Sequence, residues 1–262
     1  MNNKIIFFDI DGTILSHRNN KISDSTISAI KQAQANGHLA FINTGRTLAE
    51  LEDRITEIGF DGYVCGCGTY ISHNDSVLLQ QAIDVDTLPT LIDDLRKYEM
   101  EAILEGTSAI YYDKVSTQPF IKKIKDKQVF GGKTNIQTWD GPDISIDKFC
   151  MWSKYDDNFQ EFHQKYENEF EFIGRGNHFY EVVPKGYSKA SGIEFLINHL
   201  DIPHDNTYAI GDSTNDLSML TYAKYSIGMG NSDDIILDVV SYVTEDVDKD
   251  GVEMALRHYG II

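Results

Sequence analysis

Two runs of apolar residues, KIIFFDI from Lys4 and HLAFINTG from His38, constrain this fold more than any other feature of the chain. Neither shows the alternation of a strand wetted on one face, so each reads as a strand covered on both sides. Helical patterns follow them. SDSTISAIKQAQANG opens on Ser and Asp, repeats apolar residues at Ile27, Ile30 and Ala33, and stops at Gly37. RTLAELEDRITEIG reads as a second helix ending at Gly59, and YVCGCGTYI as a third strand. Strand, helix, strand, helix, strand implies a parallel sheet with right-handed crossovers. Ligands of such sheets bind at the carboxyl ends of the strands, where Asp9, Asp11 and Thr44 fall.

The texture changes between residues 83 and 182. A helical pattern, DVDTLPTLIDDLRKYEM, leads into aromatic and β-branched runs, with a second one, NFQEFHQKYENEF, further on. This is an α+β pattern. From Ser188 the alternation returns with the helix SKASGIEFLINHL, the strand TYAIGD, the helix NDLSMLTYA and the strand YSIGMG. SDDIILDVVSYV and VDKDGVEMALRHYG read as two closing helices. The fold class expected is therefore α/β: a Rossmann-like, doubly wound parallel-sheet core over 1–82 and 183–262, with an α+β domain inserted over 83–182.

A net charge of −18 argues against nucleic-acid binding through a basic surface, though not against a small anion beside a divalent cation. No stretch approaches the roughly 20 apolar residues of a membrane helix, and the short apolar run at the N-terminus breaks into acids too early for a secretion signal. Cys65, Cys67 and Cys150 are too few and too oddly placed for a disulfide framework, which fits a reducing compartment. Together these suggest a soluble, cytoplasmic protein with no nucleic-acid or membrane partner.

Asp9 and Asp11 sit directly after a buried run, where an ionised carboxylate needs a partner. Close like charges require a cation, a shared proton or a local change of backbone. The strand end AIGDSTND brings Asp212 and Asp216 to the same sheet edge. Carboxylates from two strand ends, with waters and a phosphate oxygen, form the oxygen-rich octahedral shell that Mg²⁺ prefers.

DIDGT, NTGR, the lysine of GYSKASG and GDSTND, in that order, resemble the four motifs of the haloacid dehalogenase superfamily. The position of the insertion, MGN and the DGV tail are similar to the Cof-type phosphatases with a type-C2 (C2B-like) cap. The resemblance implies that Asp9 is a nucleophile forming an aspartyl phosphate and that Asp11 is the general acid and base. Thr44 and Gly45 would hold phosphate oxygens, with Asn215 reaching the phosphate. Lys189 would neutralise charge on nucleophile and phosphoryl group. The metal would take Asp9, the Asp11 main-chain carbonyl and Asp212, with Asp216 orienting Lys189 or a metal-bound water. The implied function is a Mg²⁺-dependent phosphomonoester hydrolase acting on small phosphorylated metabolites such as sugar phosphates or pyridoxal phosphate, as a monomer or weak homodimer. The rivals are a phosphohexomutase-type isomerase of the same superfamily and a catalytically silent sensor. Cys67 stands where such proteins commonly carry Asn, and Cys65 and Cys67 read as small buried thiols. Arg175, Asn177 and His178 lie in a polar loop of the inserted domain, and the lysine-rich run Ile121 to Lys127 reads as a solvated face.

Overall fold

The computed structural model describes residues 3–116, 118–130 and 135–262. The chain divides into two compact units: Met1–Gly45, Glu52–Leu79 and Tyr187–Ile262 in the first, Arg46–Leu51 and Gln80–Gly186 in the second. The first unit begins with β1 (Ile5–Phe8), α1 (Asp24–Ala35), β2 (Leu39–Asn43), α2 (Asp53–Thr56), β3 (Gly62–Cys65), β4 (Tyr70–His73) and β5 (Ser76–Gln80). The second unit contains α3 (Leu88–Lys97), β6 (Glu101–Glu105), β7 (Ile110–Tyr112), α4 (Pro119–Phe130), β8 (Ile136–Thr138), β9 (Lys148–Trp152), α5 (Asp156–Tyr166), β10 (Phe170–Gly174) and β11 (Phe179–Pro184). The chain then returns to the first unit as α6 (Lys189–His199), β12 (Thr207–Gly211), α7 (Leu217–Tyr222), β13 (Tyr225–Gly228), α8 (Asp234–Leu237), β14 (Tyr242–Val243) and α9 (Gly251–His258).

In the first unit the sheet runs β14-β13-β12-β1-β2-β3-β4-β5. Every side chain of β1 is buried, as its unbroken apolar run requires. β1 pairs in parallel on both sides, with Phe8 level with Ile42 of β2 and Ile210 of β12. Chain order reverses direction across the sheet at β1, and the carboxyl end of such a reversal is a ligand crevice. Phe7, Phe41, Val64, Ile193, Leu196, Ala209 and Leu220 form the core beneath it. α6 starts where it does because Ser188 and Ser191 cap each other: Ser191 N donates to Ser188 Oγ at 3.1 Å and Ser188 N donates to Ser191 Oγ at 2.9 Å. Lys189 is thereby its first residue.

Three local expectations fail. YVCGCGTYI is not one strand but the antiparallel hairpin β3–β4, because Gly66, Cys67 and Gly68 all have positive φ and reverse the chain. RTLAELEDRITEIG is not one helix. Glu50 accepts from Thr47 N at 2.9 Å, capping the start of a single 3₁₀ turn over Leu48–Glu50, and Leu51 is extended before α2 begins. Residues 46–51 group with the second unit, where Ala49 packs with Ile103, Ile110 and Tyr112, whereas the sequence pattern places all of 1–82 in the core. SDDIILDVVSYV is helical only over α8. Ser241 then bonds both the amide and the carbonyl of Ser226, and Tyr242–Val243 pair with β13 as an edge strand.

The second unit carries the sheet β10-β11-β9-β6-β7-β8, antiparallel except for β7 with β8. Successive side chains of β9 point to opposite faces. Phe149 and Met151 join the apolar cluster with Leu91, Leu95 of α3 and Phe162 of α5. Lys148 faces the other way, 2.6 Å from Glu105 and 2.9 Å from Glu181. The run from Ile121 lies in α4, a third helix of this unit, which opens on Pro119.

Candidate active site

Asp9 follows the last residue of β1 and Asp212 the last residue of β12, so adjacent parallel strands deliver both acids to one sheet edge. Asp9 N donates to Ile210 O at 3.0 Å, which carries the pairing one step past the strands themselves. Lys189, fully buried, donates to Asp9 Oδ1 at 2.6 Å and to Asp216 Oδ1 at 2.5 Å. The other oxygen of Asp216 accepts from the main-chain amides of Asp212 at 2.9 Å and Ser213 at 3.1 Å. Asp216 is thus engaged at both oxygens, and it fixes the lysine and the Asp212 turn together. Asp212 Oδ1 accepts from Thr13 Oγ1 at 3.0 Å.

Burial and the neighbouring Asp216 push Asp9 up to about 7, against the pull of Lys189. Burial, then Asp9 and Asp216, push Asp212 up to about 8. Burial would lower the Lys189 ammonium, but the two carboxylates it touches carry it above its ordinary value. One ammonium shared among three buried acids leaves the group short of positive charge.

A metal ion would remedy that shortage. Asp9, Asp212 and Asp216 can each offer a carboxylate oxygen such that the three lie within 4.8 Å of one another. Hard oxygen donors of this type suit a small divalent cation, so the residues fit the group. Asp11 is half-buried, and its side chain is not part of this cluster.

Thr44 follows β2 at the same edge. Its amide donates to Val64 O at 2.9 Å, and its carbonyl accepts from Cys67 N at 3.0 Å, so the β3–β4 turn holds it from behind. Gly45 is next in the chain, and Asn215 lies in the 3₁₀ turn before α7, its Oδ1 accepting from Ser213 Oγ at 2.6 Å. The structure therefore gathers Asp9, Asp212, Asp216 and Lys189 in one buried group, and sets Asp11, Thr44, Gly45 and Asn215 on the loops leaving the strand ends of the same sheet edge. Cys65 and Cys67 are buried. Arg175, Asn177 and His178 belong to the second unit, in the tight turn joining β10 to β11; Arg175 N bonds Phe179 O at 2.8 Å.

Two residues were missed by sequence reasoning. Asn231 donates to Gly12 O at 2.8 Å and accepts from Val247 N at 2.8 Å, clamping the turn after Asp11. Its sequence signal is the MGN that follows β13. Asn43 donates from Nδ2 to Lys189 O at 2.9 Å, a contact that nothing in NTGR foretells.

The model of the haloacid dehalogenase-like hydrolases matches residues 6–256. The 5-amino-6-(5-phospho-D-ribitylamino)uracil phosphatase YcsE of Bacillus subtilis is 27% identical, over 98% of this chain and 95% of its own. The structure of the subclass IIB sugar phosphatase BT4131 superimposes with a TM-score of 0.85 at 28% identity, covering 99% of this chain and 100% of that one. A structure reported with a trigonal-bipyramidal intermediate of a phosphoryl-transfer superfamily is 27% identical, with a TM-score of 0.85 and coverage of 99% and 100%. No helix among the described residues is long and apolar enough to cross a membrane. The match over nearly the whole chain, read with the acid and lysine geometry at the strand ends, makes this protein a member of the haloacid dehalogenase-like hydrolase family and a phosphatase.

Proposed function

We propose that the protein is a Mg²⁺-dependent phosphomonoester hydrolase that works through an aspartyl phosphate at Asp9. One observation carries this reading: Lys189 bridges Asp9 and Asp216 in a buried group that also contains Asp212. An Asp9 carboxylate oxygen forms the bond to phosphorus while the ester P–O bond breaks. Asp11 gives its proton to the departing alkoxide, then takes one from the water that hydrolyses the acyl phosphate; such assistance is typically worth about 10²–10⁴ in rate. Thr44 Oγ1, the Gly45 amide and Asn215 hold the non-bridging oxygens. Lys189 offsets charge on the nucleophile and the phosphoryl group, and Asp216 keeps its ammonium in place. Asp9, the Asp11 main-chain carbonyl and Asp212 would hold Mg²⁺, which supplies electrostatic stabilisation of the transferring group.

The substrate class we favour is small phosphorylated metabolites with a hydroxylated or heteroaromatic leaving group, such as sugar phosphates and pyridoxal phosphate. The sugar phosphatase and the ribitylaminouracil phosphatase among its relatives support this choice.

Asp9→Asn keeps the volume of the side chain and removes the nucleophilic oxygen, so phosphate release from any good ester should fall below detection. EDTA should abolish turnover of the parent, and Mg²⁺ should restore it. Phosphate release by Asp9→Asn at near the parental rate would refute the nucleophile. Isomerised sugar phosphate in place of free phosphate would turn the assignment to a mutase.

A further inference from the structure

Asn43 is fully buried at the end of β2, immediately before Thr44. Its Nδ2 spans 146 residues of sequence to donate to the Lys189 carbonyl at 2.9 Å. Its Oδ1 is buried and has no hydrogen-bond partner among the described residues. A buried amide with an orphaned oxygen is a poor choice for stability, because the lost hydration of that oxygen is not returned. An apolar side chain of the same shape would fill the space without that loss. The asparagine is therefore explained by what its one bond does.

That bond joins two parts of the proposed phosphoryl site. Lys189 is the first residue of α6, and its flexible four-carbon stem must place Nζ between Asp9 and Asp216. The reach of the stem depends on where the main chain of Lys189 lies. Packing brings the start of α6 close to the β3–β4 turn: a Cβ on Gly68 would lie 2.4 Å from Ser188 O, and one on Gly192 would lie 2.4 Å from Val64 Cγ1. Asn43 adds a directional contact from the strand end that carries Thr44.

We infer that Asn43 is a positioning residue that fixes the Lys189 main chain against the Thr44 strand end, and so sets the ammonium for the transition state. The inference rests on the phosphatase reading and deepens it. Misplacing a charged group by about 1 Å costs on the order of 100-fold in rate, and a group that acts on the transition state changes kcat more than KM.

The test compares Asn43→Leu, close in shape and free of the orphaned oxygen, with Asn43→Ala and the parent. Asn43→Leu should keep or raise the urea midpoint, lower kcat on a sugar phosphate by about 10- to 100-fold, and move KM less than about threefold. A readout without turnover is thermal stabilisation by orthovanadate with Mg²⁺, set against that by inorganic phosphate. Vanadate, which mimics the five-coordinate phosphorus, should bind the variants at least about tenfold more weakly, with phosphate affinity changed less than about threefold. Parental kcat in both variants, equal losses for vanadate and phosphate, or a parent that vanadate does not stabilise would each overturn the inference. A parent that binds vanadate but hydrolyses no phosphate ester refutes the phosphatase reading instead, and the vanadate comparison then decides the role of Asn43 by itself.

Discussion

Gly12 and Gly37 have nearly the same backbone, with φ of +87° and +86°, but different surroundings. A Cβ at Gly37 meets nothing within 4 Å, whereas one at Gly12 would lie 2.1 Å from Asp212 Oδ2. Replacing either by Ala imposes a left-handed conformation on an L-residue, which costs about 1–2 kcal/mol. Gly37→Ala should show that loss and nothing more. At Gly12 the clash is with the tip of a side chain, so the fold escapes it by moving the carboxylate rather than the backbone. Restoring an ordinary contact of 3.4 Å requires a retreat of at least about 1.3 Å. Asp212 is a proposed metal ligand, and Thr13 holds its other oxygen at 3.0 Å. The cost therefore appears in the site. Gly12→Ala should lose within about 1 kcal/mol as much stability as Gly37→Ala, yet fall on the order of 100-fold in kcat/KM, about 2.7 kcal/mol of transition-state stabilisation. It should also need more Mg²⁺ for half-maximal activity. Urea unfolding of both variants, with phosphate release measured across a Mg²⁺ titration, provides the comparison. If Gly12→Ala keeps parental activity and metal response, Asp212 is not where the reaction needs it.

Asp147 in the second unit is raised by burial to about 6 from an ordinary 3.8, its Oδ1 lacks a partner among the described residues, and Thr107 donates to Oδ2 at 2.6 Å. The folded state holds this proton more tightly than the unfolded one, so stability is lost as pH rises from about 4 to 6, by up to about 3 kcal/mol; Asp147→Asn should recover most of it at pH 7 and nothing at pH 4, and an equal gain at both would refute the assignment. Lys148→Met withdraws the ammonium that lies 2.6 Å from Glu105 and 2.9 Å from Glu181, all three residues being buried. Breaking such a group costs about 3–5 kcal/mol, and because burial already pushes Glu105 up to about 8, the loss in urea unfolding should be smaller at pH 5 than at pH 8.

The sequence was legible wherever one element decided its own character. β1 and β2 are apolar throughout because both faces are covered, and a two-sided strand needs no tertiary information to recognise. The acids were visible because charge directly after such a strand is costly without compensation. The failures came where a few residues were shared between competing local structures. Glu50 reads as one more helical residue, yet it caps a single turn that starts at Thr47, and the chain leaves it extended at Leu51. Cys67 offers no sign of its positive φ except the glycines on either side. Asn43 and Asn231 were invisible as participants because their partners, Lys189 and Gly12, are remote in sequence and are touched through main-chain atoms, which carry no residue identity.

The charge balance explains how a chain of net charge −18 serves an anionic substrate. Exposed charges more than about 8 Å away are largely screened at physiological ionic strength, so the phosphoryl group responds to its immediate neighbours and not to the total. Those neighbours are three buried carboxylates and one ammonium, a formal charge of −2. Such a group is unstable out of water without compensation. Lys189 is already shared between Asp9 and Asp216, so it cannot offset Asp212 as well. A single divalent cation brings the sum to zero, and with the amides at the strand ends it leaves the site able to accept an anion. On this view the acidity of the surface and the acidity that would hold a metal differ in burial. Surface carboxylates are dispersed by water, while Asp9, Asp212 and Asp216 are buried together, where the charge must be relieved by a proton or by a cation.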